Sequence, residues 1–408
     1  MANTLISTTG MTAYLNNDAA TTPKIKTNAT YVYLNSNCSN MFFNCHNLII
    51  SPSIFNYKYV INMSHTYYSC FNITGSPACG NNVINMSTAY IDCHNLTGQP
   101  VCGDNVINMY SAYYNCYNIT GSPVCGNNVI SMYSTYSSCI NLTGSPACGN
   151  NVTNLSSTYY KCYNLTGSPV CGANVKDMEY AYYSCSNLTG SPVCGNKVTT
   201  MHSAYYNCYK LTGSPVCGAN VTNMRFTYYN CSNLTGSPVC GANVTNMAYA
   251  YNNCTNLTGS PVCGANVKNM ANTYYNCHNL TGNPVCGANV ISMSGAYRNC
   301  NKLGGSIVID SKNLNKLDNA FKGCAVSNIV ILNAGSFSNS SLYDAFDTLY
   351  GVRVYVGNAA SKSYFINAFG CNMTTLSSTS GTVHIAGKNL PYTTSFWNQI
   401  ENKYLYVY

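Results

Sequence analysis

The chain has 408 residues, 46% of them hydrophobic and only 7% charged, with a formal net charge of +8. An average soluble protein carries about 25% charged residues, so the surface must consist largely of Asn, Ser, Thr, Tyr and Gly. The positive charge is spread thinly: its one mild cluster, Lys302, Lys312, Lys316 and Lys322, is interrupted by Asp310 and Asp318. A nucleic-acid binder concentrates basic residues on one face, so no nucleic-acid partner is expected. No run of 18 apolar residues occurs, and no membrane span is expected.

Residues 1–37 show no repeat and are expected to form an N-terminal cap or attachment arm. Met1-Ala2-Asn3-Thr4-Leu5-Ile6 has no basic segment leading into an apolar stretch, so no secretory signal is expected there. A neutral, hydrogen-bonding surface suits an extracellular, particle-borne or carbohydrate-facing protein. Joined to the missing export signal, it points to a virus particle, released by lysis, as the carrier.

From residue 38 to 303 the chain repeats every 23 residues. One cysteine series comprises Cys70, Cys93, Cys116, Cys139, Cys162, Cys185, Cys208, Cys231, Cys254, Cys277 and Cys300. A second comprises Cys79, Cys102, Cys125, Cys148, Cys171, Cys194, Cys217, Cys240, Cys263 and Cys286. A fixed period of this length is the mark of a stacked repeat. In the copy from Val244 to Asn266, the apolar residues Val244, Met247, Tyr251, Cys254 and Leu257 are spaced 3, 4, 3 and 3, one face of a helix. Asn243 precedes the run as an expected N-cap. Thr258-Gly259-Ser260-Pro261 signals a turn, followed by a very short strand, Val262-Cys263, and a second turn at Gly264. Each coil is thus expected to hold a short helix and a very short strand. Coils stacked about 4.8 Å apart predict a repeat solenoid forming a rod roughly 50–60 Å long, and the proline before each strand keeps the sheet narrow.

The pattern V-x-x-M-x-x-x-[YF]-x-x-C-x-x-L-T resembles the BspA-type leucine-rich repeat and related surface-protein repeats. Val221-Thr222-Asn223-Met224 with Tyr228, Cys231 and Leu234 carries it well. The resemblance implies a leucine-rich-repeat solenoid, surface display, adhesion, contact with a host or matrix, and no catalysis. One departure is that the third residue after the leucine is polar, as at Ser260, and only the fifth, Val262, is apolar. A weaker concave sheet is expected from that. Residues 304–408 keep the pattern faintly, at Ala320-Phe321 with Cys324, at Ala345-Phe346 and at Ala368-Phe369. Strands are expected at Ile329–Leu332 and Val352–Val356, and the stretch holding Trp397 and Tyr404–Tyr408 is expected to form irregular repeats and a C-terminal cap.

Chemistry finds little foothold. Metal sites favour C-x-x-C pairs with nearby histidine, and no C-x-x-C occurs; His94 and His278 follow cysteines, but most copies lack such a histidine. An odd total of 25 cysteines and no export signal argue against a disulfide framework. The cysteines are expected to be buried structural ladders, although stacked thiols lie within cross-linking reach. The close acidic pairs Asp177/Glu179 and Asp344/Asp347 do not recur, and six scattered histidines form no nucleophile–base pair. No enzyme activity, metal or cofactor is expected. The Asn-x-Thr sequons, such as those at Asn95, Asn164 and Asn256, lie in the repeat core. Their asparagines are expected to bond backbone at the turn.

Tyrosine is the most suggestive surface feature. Tyr67, Tyr90, Tyr113, Tyr136, Tyr159, Tyr182, Tyr205, Tyr228, Tyr251, Tyr274 and Tyr297 belong to the buried stripe. Tyr68, Tyr114, Tyr160, Tyr183, Tyr206, Tyr229 and Tyr275 each follow one of these and should point away from the core. Rows of exposed aromatics stack on sugars or anchor proteins; the alternative is edge packing between coils. The expected function is a non-enzymatic recognition or adhesion protein on a virus particle, as a phage tail or appendage component. Its partners would be a host glycan or protein receptor and, through its ends, other virion or surface proteins. The alternatives are a cellular surface adhesin and a structural spacer or decoration protein.

Overall fold

A computed structural model describes residues 4–6, 32–46, 48–334, 341, 345, 353–356, 380–385, 388–393 and 404–407. The chain divides into two compact units, Met1–Leu211 and Thr212–Tyr408. Each contains a run of stacked 23-residue coils, and the repeat solenoid expected from the period is what the chain forms.

The 3-4-3-3 spacing does bury one face. Val244, Met247, Tyr251, Cys254 and Leu257 are all fully buried. That face is not a helix, and no α-helix occurs among the described residues. Tyr249 and Asn253 both sit at φ +59°, a left-handed conformation that a right-handed helix cannot continue through. The backbone instead makes successive tight turns, with Ala250 N–H bonding Met247 O (2.9 Å) and Cys254 N–H bonding Tyr251 O (3.0 Å). The intervening N–H groups leave the coil. Met247, Tyr249, Tyr251 and Asn253 donate to Asn269, Ala271, Thr273 and Tyr275 of the following coil at 2.8–2.9 Å. A helix would have consumed those donors internally. Here they join one coil to the next.

The expected N-cap is also replaced. Asn243 Nδ2 donates to Ala219 O of the preceding coil (2.9 Å). The turns are opened by the next asparagine, Asn246, whose Oδ1 accepts from Ala248 N–H (3.0 Å). Asn85, Asn108, Asn154 and Asn223 do the same in their own coils, each forming an Asx turn. Asn246 also forms one-residue parallel bridges to Asn223 and Asn269. The inter-coil ladder therefore lies just before the methionine, and Val262-Cys263 is not a strand.

The Val262 wall is held from inside. Tyr274 crosses the coil interior; its hydroxyl donates to Val262 O (2.8 Å) and accepts from Val262 N–H (3.1 Å). The two residues lie twelve apart, about half a coil. The same clamp joins Tyr113 to Val101, Tyr136 to Val124 and Tyr182 to Val170. Burial holds these phenols well above their usual ionisation range, so they stay protonated and able to donate. The rings stack coil on coil, 5.0–5.7 Å apart from Phe42 to Tyr205 in the first unit. They are 5.5–5.9 Å apart from Tyr228 to Phe321 in the second.

True strands occur toward the ends. In the first unit β1 (Thr4–Ile6), β2 (Val32–Leu34) and β3 (Phe55–Asn56) pair in parallel. In the second, β4 (Gly304–Ser311), β5 (Ala325–Ala334), β6 (Arg353–Val356) and β9 (Tyr404–Val407) form one sheet in that order. Its last pairing is antiparallel. β7 (Ser380–Ile385) and β8 (Lys388–Thr393) form an antiparallel pair. The strands expected at Ile329–Leu332 and near Val352–Val356 thus fall in β5 and β6. The readings at Phe346, Ala368, Phe369 and Trp397 lie outside the described residues. Phe321 shows why tyrosine recurs elsewhere. Ile309, twelve residues before it, belongs to β4 and pairs with Ile331 of β5. With a real ladder on that wall, no hydroxyl is required.

Tyr182→Phe tests the clamp. It strands the N–H and C=O of Val170, which should cost about 1–3 kcal/mol. The expected result is a lower denaturation midpoint and faster exchange of the Val170 amide, with an unchanged far-UV spectrum. Wild-type stability and exchange would show that the clamp is dispensable.

Candidate functional site

Both cysteine ladders serve the scaffold. In the first series the thiol is buried and donates to the carbonyl of the preceding coil's core aromatic residue, Phe42 for Cys70 and a tyrosine in later coils. Cys93 to Tyr67, Cys162 to Tyr136 and Cys254 to Tyr228 each measure 3.0 Å. The second series is half-buried and lines a tight corner. A Cβ on Gly264 would lie 2.9 Å from Cys240 Sγ and 3.1 Å from Gly241 O, so a larger residue there would force the corner to shift. Burial pushes the Cys79, Cys125 and Cys263 thiols up to about 12, and Cys102, Cys148 and Cys240 up to about 11. Since the thiolate is the nucleophile, these groups are unreactive at neutral pH. The described cysteines are free thiols, and no group of three or more His, Cys, Asp or Glu side chains among the described residues is placed to hold a metal.

The sequon asparagines bond differently from expectation. Asn72, Asn118 and Asn279 do bond backbone, but that of the preceding coil, at His46 O, His94 O and Thr255 O (2.8–2.9 Å). Others form an amide ladder between coils, with Asn95 Nδ2 donating to Asn72 Oδ1 (3.1 Å) and Asn187 Nδ2 to Asn164 Oδ1 (3.3 Å). Lys210 Nζ takes the place in its coil, at 2.7 Å from Asn187 Oδ1. Of the acidic pairs, Asp177 Oδ1 accepts from Glu179 N–H (2.8 Å) as part of an Asx turn. Asp344 and Asp347 lie outside the described residues.

The seven outward tyrosines all reach the surface. Tyr114 is exposed; Tyr68, Tyr160, Tyr183, Tyr206, Tyr229 and Tyr275 are half-buried. Their positions two residues before each buried cysteine put them in one column per unit. In the first unit Tyr160, Tyr183 and Tyr206 form a stack, with centroids 4.8 and 4.5 Å apart. Tyr180 stands edge-on against the first two, and Lys161 Nζ lies 5.2 Å from the Tyr160 ring. Tyr68 stacks on Phe43 at 5.0 Å. In the second unit Tyr229 meets Phe226 edge-on at 5.7 Å, and Arg298 lies 5.5 Å from the Tyr275 ring.

A neighbouring column escaped the sequence reading. The residues following the buried cysteines, His46, Phe71, His94 and Tyr117, stack successively at 4.5, 5.0 and 4.5 Å. Exposed Tyr110 and Tyr133 stack at 5.1 Å. The signal was available as aromatic and imidazole rings recurring in 23-residue register, whereas the metal reading concerned only His94 and His278 and left ring stacking aside. Within the stacks, ring faces are largely covered by ring faces. What remains outward is ring edges and phenol oxygens. Partial burial, with Tyr160 adding to it, raises the Tyr183 phenol above its usual range, so at neutral pH it is a neutral hydrogen-bonding group. The arrangement offers an apolar, hydrogen-bonding rim without net charge.

Stacked parallel coils with one buried residue set per 23 residues define a repeat solenoid of the leucine-rich-repeat class. Residues 199–307 match the family described as "Mycoplasma protein of unknown function, DUF285". Over those residues the repeats are similar to those of BspA-like leucine-rich-repeat proteins, which are typically displayed at surfaces and whose fold is typically non-catalytic. A leucine-rich repeat protein from Bacteroides ovatus is similar over 74% of this chain and 78% of its own, with 15% identity and a TM-score of 0.47. A chain of the TLR13–ssRNA13 complex is similar over 91% of this chain and 56% of its own, with 12% identity and a TM-score of 0.29. No curated protein matches the chain. Among the described residues no helix is long and apolar enough to cross a membrane.

The thiol environment sets an alkaline limit on the fold. A thiol whose folded pKa is raised stabilises fully below its ordinary value of 9.0 and loses that contribution as pH climbs through the folded value, about 12 for Cys79 and about 11 for Cys102. The melting temperature should be flat from pH 6 to about pH 8.5 and fall between about pH 9 and 12. Thiol reagents at pH 7.5 should label the chain slowly until denaturant is added. Rapid labelling of the native chain would contradict the buried-ladder assignment.

Proposed function

We propose that the chain is a non-enzymatic recognition or adhesion protein, carried on a surface and contacting a glycan or protein receptor through its outer aromatic columns. The observation that carries this reading is the outward Tyr160–Tyr183–Tyr206 stack, flanked by Tyr180 and Lys161. Aromatic groups with polar tips are favoured contact residues because they bury much area at little entropic cost. The similarity of its repeats to those of BspA-like proteins supports display at a surface. The carrier is either a virus particle, as a tail or appendage component, or a cell envelope. The match to a family described from Mycoplasma supports the cell-surface reading, and fractionation of purified particles against envelope distinguishes the two. The chain ends, where the coils give way to strands, are the proposed attachment points to other surface proteins.

The test is a triple Tyr160→Ser, Tyr183→Ser, Tyr206→Ser variant, screened with wild type against a glycan array and intact candidate host cells. These side chains lie outside the core, so the melting temperature should fall by only a few degrees, while attachment drops at least about ten-fold. Undiminished attachment by the folded variant sinks the aromatic-face reading. If neither protein attaches to anything, a spacer role is favoured.

A further inference from the structure

A groove of about 1010 Å³ runs along the first unit, on the face carrying the residues on either side of the buried valines. Its floor is Ile61, Ile84, Ile107 and Ile130, one per coil, each 41–48% exposed. Four large aliphatic side chains in a continuous row form an apolar stripe with no covering partner in this chain's described residues.

The backbone beneath has nothing to offer a peptide. The N–H groups of Ile84, Ile107 and Ile130 donate to Ile61, Ile84 and Ile107, and Ile130 O accepts from Thr153 N–H, all at 2.8–2.9 Å. Along the rim, Asn82, Asn105, Asn128 and Asn151 commit their amide nitrogens to carbonyls of the preceding coils. Strand addition requires free main-chain groups, and strand side chains on one face recur about every 6.6 Å, out of step with coils about 4.8 Å apart. An occupant that needs no hydrogen bonds and has no side-chain register fits better. Both ends of the groove are cationic, with two lysines at one and one at the other. Beyond Thr153 the isoleucine row ends in Lys176, with Lys197 beside it and its Nζ held 2.7 Å from Asn174 Oδ1. Lys58 closes the opposite end, engaged with the Tyr59 ring at 5.4 Å. No carboxylate is among the residues lining the groove.

We propose that this groove binds one long-chain fatty acid, its tail over Ile61 to Ile130 and its carboxylate at Lys176 and Lys197. Ile61 and Lys176 are five coils apart, about 24 Å at that spacing, which suits an extended long-chain tail. This inference is independent of the aromatic-face reading, which concerns other columns of the coil.

Calorimetric titration of the full chain with hexadecanoate, kept below its micellar concentration, tests it. Saturable binding of one molecule per chain is expected, with octanoate at least about 100-fold weaker because it has eight fewer methylenes to bury in the open groove. Lys176→Glu with Lys197→Glu should weaken hexadecanoate roughly ten-fold and leave hexadecanol unaffected. Ile84→Ser with Ile107→Ser should weaken both. All four positions are exposed, so the variants should melt like wild type. Equal affinity for hexadecyltrimethylammonium, or unchanged binding by the folded isoleucine variant, overturns the proposal. So does dimerisation of wild type that the isoleucine variant abolishes, which would make the stripe a self-association surface. Binding to anionic phospholipid vesicles without binding to monomeric hexadecanoate would assign it to a membrane instead.

Discussion

The buried tyrosine hydroxyl is the interaction on which each coil depends. A closed coil needs two walls. The turn wall holds itself to its neighbours through outward N–H groups, but the Ser-Pro-Val-Cys-Gly wall makes no comparable ladder. Its valine N–H and C=O would be left unpaired in a half-buried position, and unpaired buried backbone is costly. One phenol reaching across the interior answers both groups, as Tyr274 does for Val262. Phenylalanine would pack equally well and answer neither. The appearance of Phe321 opposite β4, where backbone pairs with backbone, fits that logic from the other side. Burial adds a second requirement, since only a protonated phenol donates to the carbonyl, and desolvation secures that state.

The period, the buried residue set and the late strands were legible in the sequence; the local conformation was not. Positions spaced 3-4-3-3 lie on one side of a helix, and they also lie on one side of consecutive tight turns, because both place every third or fourth side chain inward. Hydrophobic spacing cannot separate the two. What separates them is backbone handedness, and here the clue was Asn before the buried cysteine, as at Asn230, Asn253 and Asn276, all left-handed. The companion position holds Asn272 and Gly295 in two coils but Ser203, Tyr249 and Phe226 in others, so its side chains announce a positive φ only intermittently. Inter-coil bonding supports that geometry, and single-coil reasoning could not see it. The strand was misplaced for a related reason: Val262-Cys263 has strand-like residues, yet the preceding proline and the tyrosine clamp replace strand pairing there.

The same stacking organises the outer face. Every exterior residue meets its counterpart one coil away, so a column of rings becomes a stack and a column of asparagines becomes an amide ladder. The seven tyrosines singled out from their sequence position therefore do not act alone. Tyr160, Tyr183 and Tyr206 are three rungs of one feature, whereas Tyr114 is flanked in its column by Ile91 and Ser137. Position in the repeat foretold exposure, but the identity of the neighbouring coils decides what surface results. The column through His46, Phe71, His94 and Tyr117 was overlooked because its members differ in residue type while sharing planar rings.

Stacking also accounts for the low charge. In-register coils place identical side chains about 5 Å apart, where two like charges repel by roughly 1–3 kcal/mol, depending on the local dielectric. A charged column would accumulate that penalty at every step, whereas Asn, Ser, Thr and Tyr columns pair with themselves. The few lysines obey the constraint. Lys176 stands between Thr153 and Thr199 in its row, and Lys197 and Lys210 each bond an asparagine of the preceding coil at 2.7 Å. A composition that looks like an adaptation to an exterior habitat is thus required by the architecture itself. Habitat must be argued from the columns that the architecture leaves free to vary.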